Sequence, residues 1–295
     1  MKAAAFDYAR AESLPHALEL LARHGDGARL LAGGQSLVPA LNLRLLAPEI
    51  LIDISHIGDL RGVQDHDGTL RIGALTRHAD LLSSDLIAAR HPLLCEAVRH
   101  VAHAAIRNRG TIGGNLAHAD PASELPACML ALDATIVVEG AGGERRISAE
   151  AFFTGIYETA LQPGEILTAV EIPAAPAGRT AGFMELARRN GDYALAGLAC
   201  SAVLSDAGEM TQVRLAYFSV GDRPILAKSA AAVLEQGEPS LEAVARARAA
   251  LSQDLDPPDD LQATGAMRLH LAGVLLHRVL AGMVPGLGSR QGRAA

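Results

Sequence analysis

Behind Ser13, Leu14, Ala17, Leu18 and Leu21 recur at helical spacing, and Gly25 stops the run. Arg29 to Ala32 reads as a short strand that feeds a diglycine, Gly33-Gly34. Leu37, Leu41 and Leu45 then share one face of a helix predicted over Val38 to Leu46, with Arg44 alongside. Ile50 to Ile54 alternates as a strand, and so does Leu70 to Ala74 after the Asp67-Gly68 turn. Helices are predicted over Thr76 to Leu82, Leu93 to Ala102 and Glu124 to Leu132. A strand over Ala134 to Glu139 ends at Gly140, and another over Glu165 to Ile172 ends at Pro173.

Past that proline the pattern changes. Ala174-Ala175-Pro176-Ala177-Gly178 is the best linker in the chain, because it is rich in Pro, Gly and Ala between two periodic segments. Strands are predicted over Phe183 to Ala187, Ala196 to Leu204 and Val213 to Val220, the last two joined by a turn at Asp206-Ala207-Gly208. Helices follow over Ile225 to Glu235, Leu241 to Leu251 and Leu261 to Ala281. A run of strands followed by a run of helices predicts the α+β class. The end of the chain, from Pro285 to Ala295, is rich in Gly, Arg and Ser and reads as a loose tail.

Composition narrows the chemistry. The 295 residues suffice for two domains and a sizeable core. A net charge of −7 argues against a nucleic-acid partner, and 3% aromatic residues with no Trp argue against a base-stacking platform. Cys95, Cys128 and Cys200 are far apart and odd in number, so neither a disulfide framework nor an iron–sulfur or zinc cluster is expected; they read as small buried hydrophobes. An acid at Asp7 interrupts any secretory signal, and no apolar run reaches membrane-spanning length, so a cytoplasmic protein is expected. There is no G-x-G-x-x-G, Walker A, H-E-x-x-H or G-x-S-x-G motif.

Two stretches carry chemistry. One is Leu30-Leu31-Ala32-Gly33-Gly34-Gln35-Ser36-Leu37. The other runs from Ile106 to Pro126 and contains Thr111-Ile112-Gly113-Gly114-Asn115 and then Asp120-Pro121-Ala122-Ser123-Glu124. Glycine admits φ > 0 and lets a ligand approach the main chain, and successive free N–H groups make a concave nest for anions. A single diglycine is most often only a turn. Two of them, each followed by polar residues, point to an extended phosphate-bearing ligand clamped from two sides. His100, His103 and His118 match no metal spacing and are given no role. Arg107 and Arg109 read equally as anion contacts or as solvated surface residues.

The two diglycine stretches resemble those of the FAD-binding medium subunits of the molybdenum hydroxylases, the carbon monoxide dehydrogenase and xanthine dehydrogenase type. Ala187-Arg188-Arg189-Asn190-Gly191-Asp192-Tyr193-Ala194 and the Glu165 to Pro173 strand are similar to further family segments. The resemblance implies a two-subdomain vanillyl-alcohol-oxidase (PCMH)-type FAD domain over residues 1–176. A small C-terminal α+β domain, a three-stranded antiparallel sheet with helices, would follow over 177–285, and then the tail over 286–295. It implies non-covalent FAD bound by Ala32, Gly33, Gly34, Gln35, Ser36 and Leu37 together with Thr111, Ile112, Gly113, Gly114 and Asn115. Ser123 and Glu124 would lie toward the adenosine half, with Glu124 where the family usually has Asp, and Asp120 would be a further cofactor-binding residue. Leu167 would pack near the flavin or adenine, and Tyr193 near the isoalloxazine. Some relatives carry a lysine near Met184 and Glu185 that is missing here.

The resemblance further implies partners: a large molybdopterin subunit and a small subunit with two [2Fe–2S] clusters, assembled as a dimer of heterotrimers. This chain would take electrons from the clusters and pass them to an external acceptor, with no catalytic residue of its own for hydroxylation. Two other classes stay open on the sequence: a free-standing FAD oxidase or dehydrogenase with its own substrate, and a non-catalytic scaffold whose diglycines are only turns.

Overall fold

The computed structural model describes residues 2–206 and 208–287, so Ala207 of the predicted turn and residues 288–295 of the predicted tail lie outside the described residues. The chain opens with β1 (Asp7–Arg10), α1 (Leu14–His24), β2 (Ala28–Leu31), α2 (Leu37–Asn42) and β3 (Ile50–Asp53). These strands form a parallel sheet in the order β1-β3-β2, which leads the chain out of β2 straight into the first diglycine. Ser13 caps α1 through its side chain, as its position predicts. Helix α2 stops four residues short of its predicted end. Arg44 turns left-handed (φ 58°), and Leu45 is 73% exposed, because that face of the helix meets no core.

A second subdomain begins with β4 (Val63–His66) and β5 (Thr69–Gly73). Its helices are α3 (His78–Leu82), α4 (Asp85–Arg90), α5 (Pro92–His100), α6 (Ala104–Arg107), α7 (Ile112–His118) and α8 (Glu124–Ala131). β6 (Thr135–Gly140), β7 (Gly143–Ser148), α9 (Ala149–Phe152), β8 (Phe153–Gly155), β9 (Glu158–Thr159) and β10 (Ile166–Ile172) complete it. Its sheet has the order β4-β5-β10-β6-β7, with β10 central and antiparallel to both neighbours. Every residue of α8 from Leu125 to Ala131 is buried, so this helix carries no amphipathic signature.

The C-terminal part contains β11 (Arg179–Ala187), β12 (Ala194–Leu204), β13 (Met210–Phe218), β14 (Ile225–Leu226), α10 (Lys228–Leu234), α11 (Leu241–Asp254) and α12 (Gly265–Met283). The sheet has four strands, not three: Ile225-Leu226 pairs with Tyr217-Ala216 as an edge strand, so the helix predicted from Ile225 starts only at Lys228. The helix predicted from Leu261 starts at Gly265, where the Thr264 side chain accepts from the Met267 N–H; Leu261 itself is fully exposed.

Strand alternation ties the two halves together. Ala199 of β12 and Phe183 of β11 pack into the core built on α5 and α8, while Leu198 and Cys200 of β12 face the core under α10, α11 and α12. Polar bonds lock the junction: Ser201 Oγ donates to the Ala131 carbonyl (2.6 Å) and Arg214 Nε to the Leu130 carbonyl (2.7 Å), satisfying carbonyls at the end of α8. All three cysteines are buried and unpaired. Among the described residues, no helix is long and apolar enough to cross a membrane.

Candidate functional site

The first diglycine follows β2 directly. Gly34 takes φ 73°, a left-handed conformation that L side chains rarely adopt. The Gln35 side chain donates back to the Gly33 carbonyl (2.9 Å), and the Val38 N–H bonds to the Gly34 carbonyl (3.0 Å), which fixes the turn ahead of α2. The N–H groups of Gly33, Gly34, Gln35 and Ser36 find no acceptor among the described residues. Four consecutive amides without an acceptor surround a left-handed residue, the backbone arrangement that an anion nest requires.

The second diglycine is built differently. Thr111 is the N-cap of α7, its Oγ1 accepting from the Gly114 N–H (3.1 Å), so Gly113 and Gly114 are helical and neither has positive φ. The Ile112 N–H bonds to the Thr76 carbonyl (3.0 Å) and the Gly113 N–H to the Ala74 carbonyl (2.8 Å). These amides are taken within the chain, which corrects the expectation of a second open nest. Glycine is needed here for packing: a Cβ on Gly113 would lie 2.5 Å from the Ala74 Cβ and 2.8 Å from its carbonyl oxygen.

The two stretches touch. A Cβ on Gly33 would lie 2.3 Å from the Arg109 carbonyl oxygen, so the first turn rests on the backbone just ahead of the second. Of the two arginines here, Arg107 is structural: its guanidinium donates to the carbonyls of Val101 (2.8 Å) and Ala102 (2.9 Å).

Together the stretches line one cavity of ≈ 980 Å³. Ala32, Gly33, Gly34, Gln35, Ser36, Leu37, Thr111, Gly113, Gly114, Asn115, Asp120, Ser123, Glu124, Leu167 and Tyr193 all lie on its wall. Ile112 does not: it is 0% exposed in the core, so only its main chain belongs to the loop. Leu167 reaches the cavity from β10, and Tyr193 from the turn between β11 and β12, where it is 61% exposed. Asn115 and Ser123 clasp each other, Asn115 Nδ2 donating to Ser123 Oγ (2.7 Å) and Ser123 Oγ to Asn115 Oδ1 (2.9 Å), which ties α7 to the start of α8.

Several wall residues had no sequence signal. Leu75 and His78 come from the segment after β5, and Pro163 to Ile166 from the approach to β10. Tyr157, in a left-handed turn (φ 55°) between β8 and β9, packs its ring on His118 at 4.9 Å. The Pro163-Gly164 pair is a turn signal that could have marked its segment; the others are ordinary residues brought in by tertiary packing.

The electrostatics of the wall are set by burial. Burial pushes the Glu124 carboxyl up to about 8, and nearby Glu185 and Asp120 add to the rise against the opposing pull of its own N–H and His100. Burial pushes His78 down to about 4. The protein packed around the Tyr193 hydroxyl, with the neighbouring Asp120 and Tyr157, pushes it up to about 12. At the positions where relatives were expected to carry a lysine, Met184 packs against the C-terminal core and Glu185 is buried against His100 Nδ1 at 3.3 Å. The Glu185 contact raises the His100 pKa.

A cavity of ≈ 980 Å³ lined by two glycine stretches, with an open amide run at one and polar clasps at the other, fits a dinucleotide that carries a pyrophosphate. Residues 4–175 match the family described as the FAD binding domain in molybdopterin dehydrogenase. Residues 181–283 match the CO dehydrogenase flavoprotein C-terminal domain. The chain belongs to this family of flavoproteins; its cofactor is FAD and it is an oxidoreductase component.

Its relatives are medium-sized subunits of dehydrogenase complexes. It is 41% identical to the 6-hydroxypseudooxynicotine dehydrogenase complex subunit alpha of Paenarthrobacter nicotinovorans, over 95% of each chain. It is 37% identical to the carbon monoxide dehydrogenase medium chain of Hydrogenophaga pseudoflava, covering 93% of this chain and 96% of that one. Among solved structures, carbon monoxide dehydrogenase from Hydrogenophaga pseudoflava superposes with a TM-score of 0.92 at 38% identity, covering 95% of this chain and 97% of that one. Quinoline 2-oxidoreductase from Pseudomonas putida 86 gives 0.90 at 36% identity, covering 96% and 98%.

Proposed function

We propose that this chain is the electron-transferring FAD subunit of a cytoplasmic molybdenum hydroxylase complex. A large molybdopterin subunit and a small [2Fe–2S] subunit complete that complex as a dimer of heterotrimers. Electrons pass from the clusters to FAD here and on to an external acceptor. The observation that carries the reading is the single cavity that joins both diglycine stretches, with the unpaired amides of Gly33 to Ser36 on its wall. The family and its relatives, named as subunits of dehydrogenases, support it.

Bound FAD supplies a cofactor able to take one or two electrons. The free amides of Gly33, Gly34, Gln35 and Ser36 would hold its pyrophosphate. The second stretch shapes the opposite wall through Thr111, Gly114 and Asn115, and its glycines keep that wall close to β5. Ser123 orients Asn115 through their double hydrogen bond. Glu124, protonated below about pH 8, offers a neutral O–H donor to the ligand where the family's usual Asp would offer a carboxylate. Leu167 would give an apolar contact, and Tyr193, in the β11–β12 turn, an aromatic one. We divide the chain accordingly into an FAD domain over 1–176 and a C-terminal domain over 177–285, joined at the segment between β10 and β11.

The test is the purified chain itself. The expected outcome is a yellow protein whose acid-released flavin is FAD and which reoxidises by passing electrons to a dye without oxidising substrates of the complex. Colourless protein, or FMN in the extract, overturns the cofactor assignment. Substrate oxidation by this chain alone, at the rate of a full complex, replaces the relay with the free-standing flavoenzyme.

A further inference from the structure

Behind the cavity wall lies a group of ionisable side chains that the electron-transfer reading does not use. Glu124, the first residue of α8, lines the cavity. Glu185 comes from β11 on the same strand face as Phe183, which packs into the core built on α5 and α8. The Glu185 side chain is 6% exposed and does not line the cavity. His100, in the last turn of α5, sets Nδ1 3.3 Å from Glu185 Oε1, and its ring rests on that of Phe183 at 5.2 Å. The other side of His100 is open to solvent, its side chain being 38% exposed. Three elements therefore meet here: α8 with Glu124 toward the cavity, β11 with Glu185 in the middle, and α5 with His100 toward the surface.

The charges in this layer do not balance. The carboxyls of Glu96, Glu124 and Glu185 all act on the one imidazole of His100, and Asp120 adds another carboxyl on the cavity side. The nearby cations are directed elsewhere. Arg99 acts on Glu96, and Arg107 is bonded to the carbonyls of Val101 and Ala102. Arg214 binds the Leu130 carbonyl and Asp133 at the far end of α8. Cys128, a turn beyond Glu124, is buried and keeps its proton. Glu185 Oε2 is buried and has no hydrogen-bond partner. A buried carboxylate oxygen without a partner is costly, and a second negative charge beside it adds to the cost. The layer answers by holding protons: burial and then Glu185 raise Glu124 to about 8, and the Glu185 hydrogen bond raises His100.

We infer that Glu185, fixed by His100, is a positioning residue for the cofactor: it touches no ligand, and its charge keeps a proton on Glu124 and so couples cofactor retention to pH. The inference rests on the flavin reading above and deepens it. The pyrophosphate brings negative charge into a cavity that Asp120 and Glu124 already line. With its proton, Glu124 is a neutral O–H donor on that wall. Without it, a carboxylate faces an anionic ligand in a water-poor cavity, and the two repel. The only step is one proton passing between Glu124 and water. Binding and proton loss are then linked: retention is full while Glu124 is protonated and falls as pH rises through its titration. Glu185 sets where that fall lies, because a like charge behind Glu124 delays its ionisation. His100 stabilises the Glu185 charge from the solvent side.

The experiment uses the full chain with its flavin bound. On dilution the yellow protein releases FAD, and the fluorescence of the free flavin reads the dissociation constant across a pH series. The wild-type chain should hold FAD about tenfold less tightly at about pH 9 than at about pH 7. Glu124→Gln should remove most of that dependence. Glu185→Gln leaves every cavity-lining residue in place and should move the fall to lower pH. Glu185→Asp keeps the charge and should keep the wild-type profile. NMR of the His100 imidazole should show it titrating lower in Glu185→Gln than in the wild type. A purely structural role for Glu185 would change affinity by one factor at every pH. That result overturns the inference, as does a pH-independent wild type, a wild-type slope in Glu124→Gln, or a Glu185→Asp profile displaced like that of Glu185→Gln. A yellow chain that fails in these ways leaves the flavin reading standing, whereas a colourless one fails that reading instead.

Discussion

The two diglycines look alike in the sequence and do opposite work in the structure. At Gly33-Gly34 the main chain turns left-handed and leaves four amides unpaired beside the cavity. At Gly113-Gly114 the main chain is helical, its amides are bonded to Ala74, Thr76 and Thr111, and the missing Cβ of Gly113 lets α7 press against the end of β5. One pair combines a left-handed φ at Gly34 with amides left free; the other is glycine chiefly for the sake of what packs. A diglycine is therefore evidence of crowding or of unusual φ, and only its hydrogen bonds say which.

The contrast can be broken most directly at the crowded positions. Gly113→Ala places a methyl 2.5 Å from Ala74, and Gly33→Ala places one 2.3 Å from the Arg109 carbonyl oxygen; in both cases the obstacle includes backbone that cannot rotate away. Each should cost about 3 kcal/mol, which lowers the melting temperature by roughly 6–12 °C. Differential scanning calorimetry on the flavin-free chain reads this, and an unchanged melting temperature in either variant would remove the close contact from the account.

Smaller effects separate the ligand-facing glycines. Gly34→Ala forces a side chain into φ 73° at a cost of about 1 kcal/mol, and should also lower FAD affinity by disturbing the nest. Gly114 has no such strain; its Cβ meets only Thr111 Oγ1 at 2.9 Å and the Ala32 Cβ at 3.8 Å, so Gly114→Val should fold yet purify without colour because the side chain enters the cavity. Flavin absorbance after gel filtration measures both. Full occupancy in Gly114→Val would take the second stretch off the binding surface.

A different kind of effect, on pH dependence, belongs to the second stretch alone. Glu124 keeps its proton in the folded chain up to about pH 8 but loses it near 4.5 when unfolded. Between these values the unfolded chain binds fewer protons, so stability falls as pH rises from 4.5 through 8. Glu124→Gln should flatten that decline in urea melts taken across the window. An identical slope in the variant would mean that Glu124 is solvated and ordinary.

Much of the site was legible in advance because it is local. A short apolar strand ending in Gly-Gly-Gln-Ser specifies its turn with no help from elsewhere, and Ser13 caps α1 within four residues of chain. Thr111-Ile112-Gly113-Gly114 marked a loop of note, but its helical form depends on the carbonyls of Ala74 and Thr76, about forty residues away in the chain. The same holds for Ile225-Leu226, whose apolar pair continues a helical pattern and becomes a strand only because β13 offers an edge. At α8 the helix predicted over Glu124 to Leu132 forms over Glu124–Ala131, although burial on every side leaves it without an amphipathic alternation.

The sequence by itself determined the α+β order of elements, the change of pattern near Ala174, and the two glycine stretches that line the cavity, because these rest on side-chain periodicity and on the conformational freedom of glycine. Tertiary structure alone decided which amides stay free, since that depends on whether a distant carbonyl arrives to take them. It alone placed Tyr157, His118 and Leu75 on the cavity wall. It also brought Tyr193 to that wall beside Asp120 and Tyr157, because the β11–β12 turn reaches them only with β11 and β12 packed onto α5 and α8.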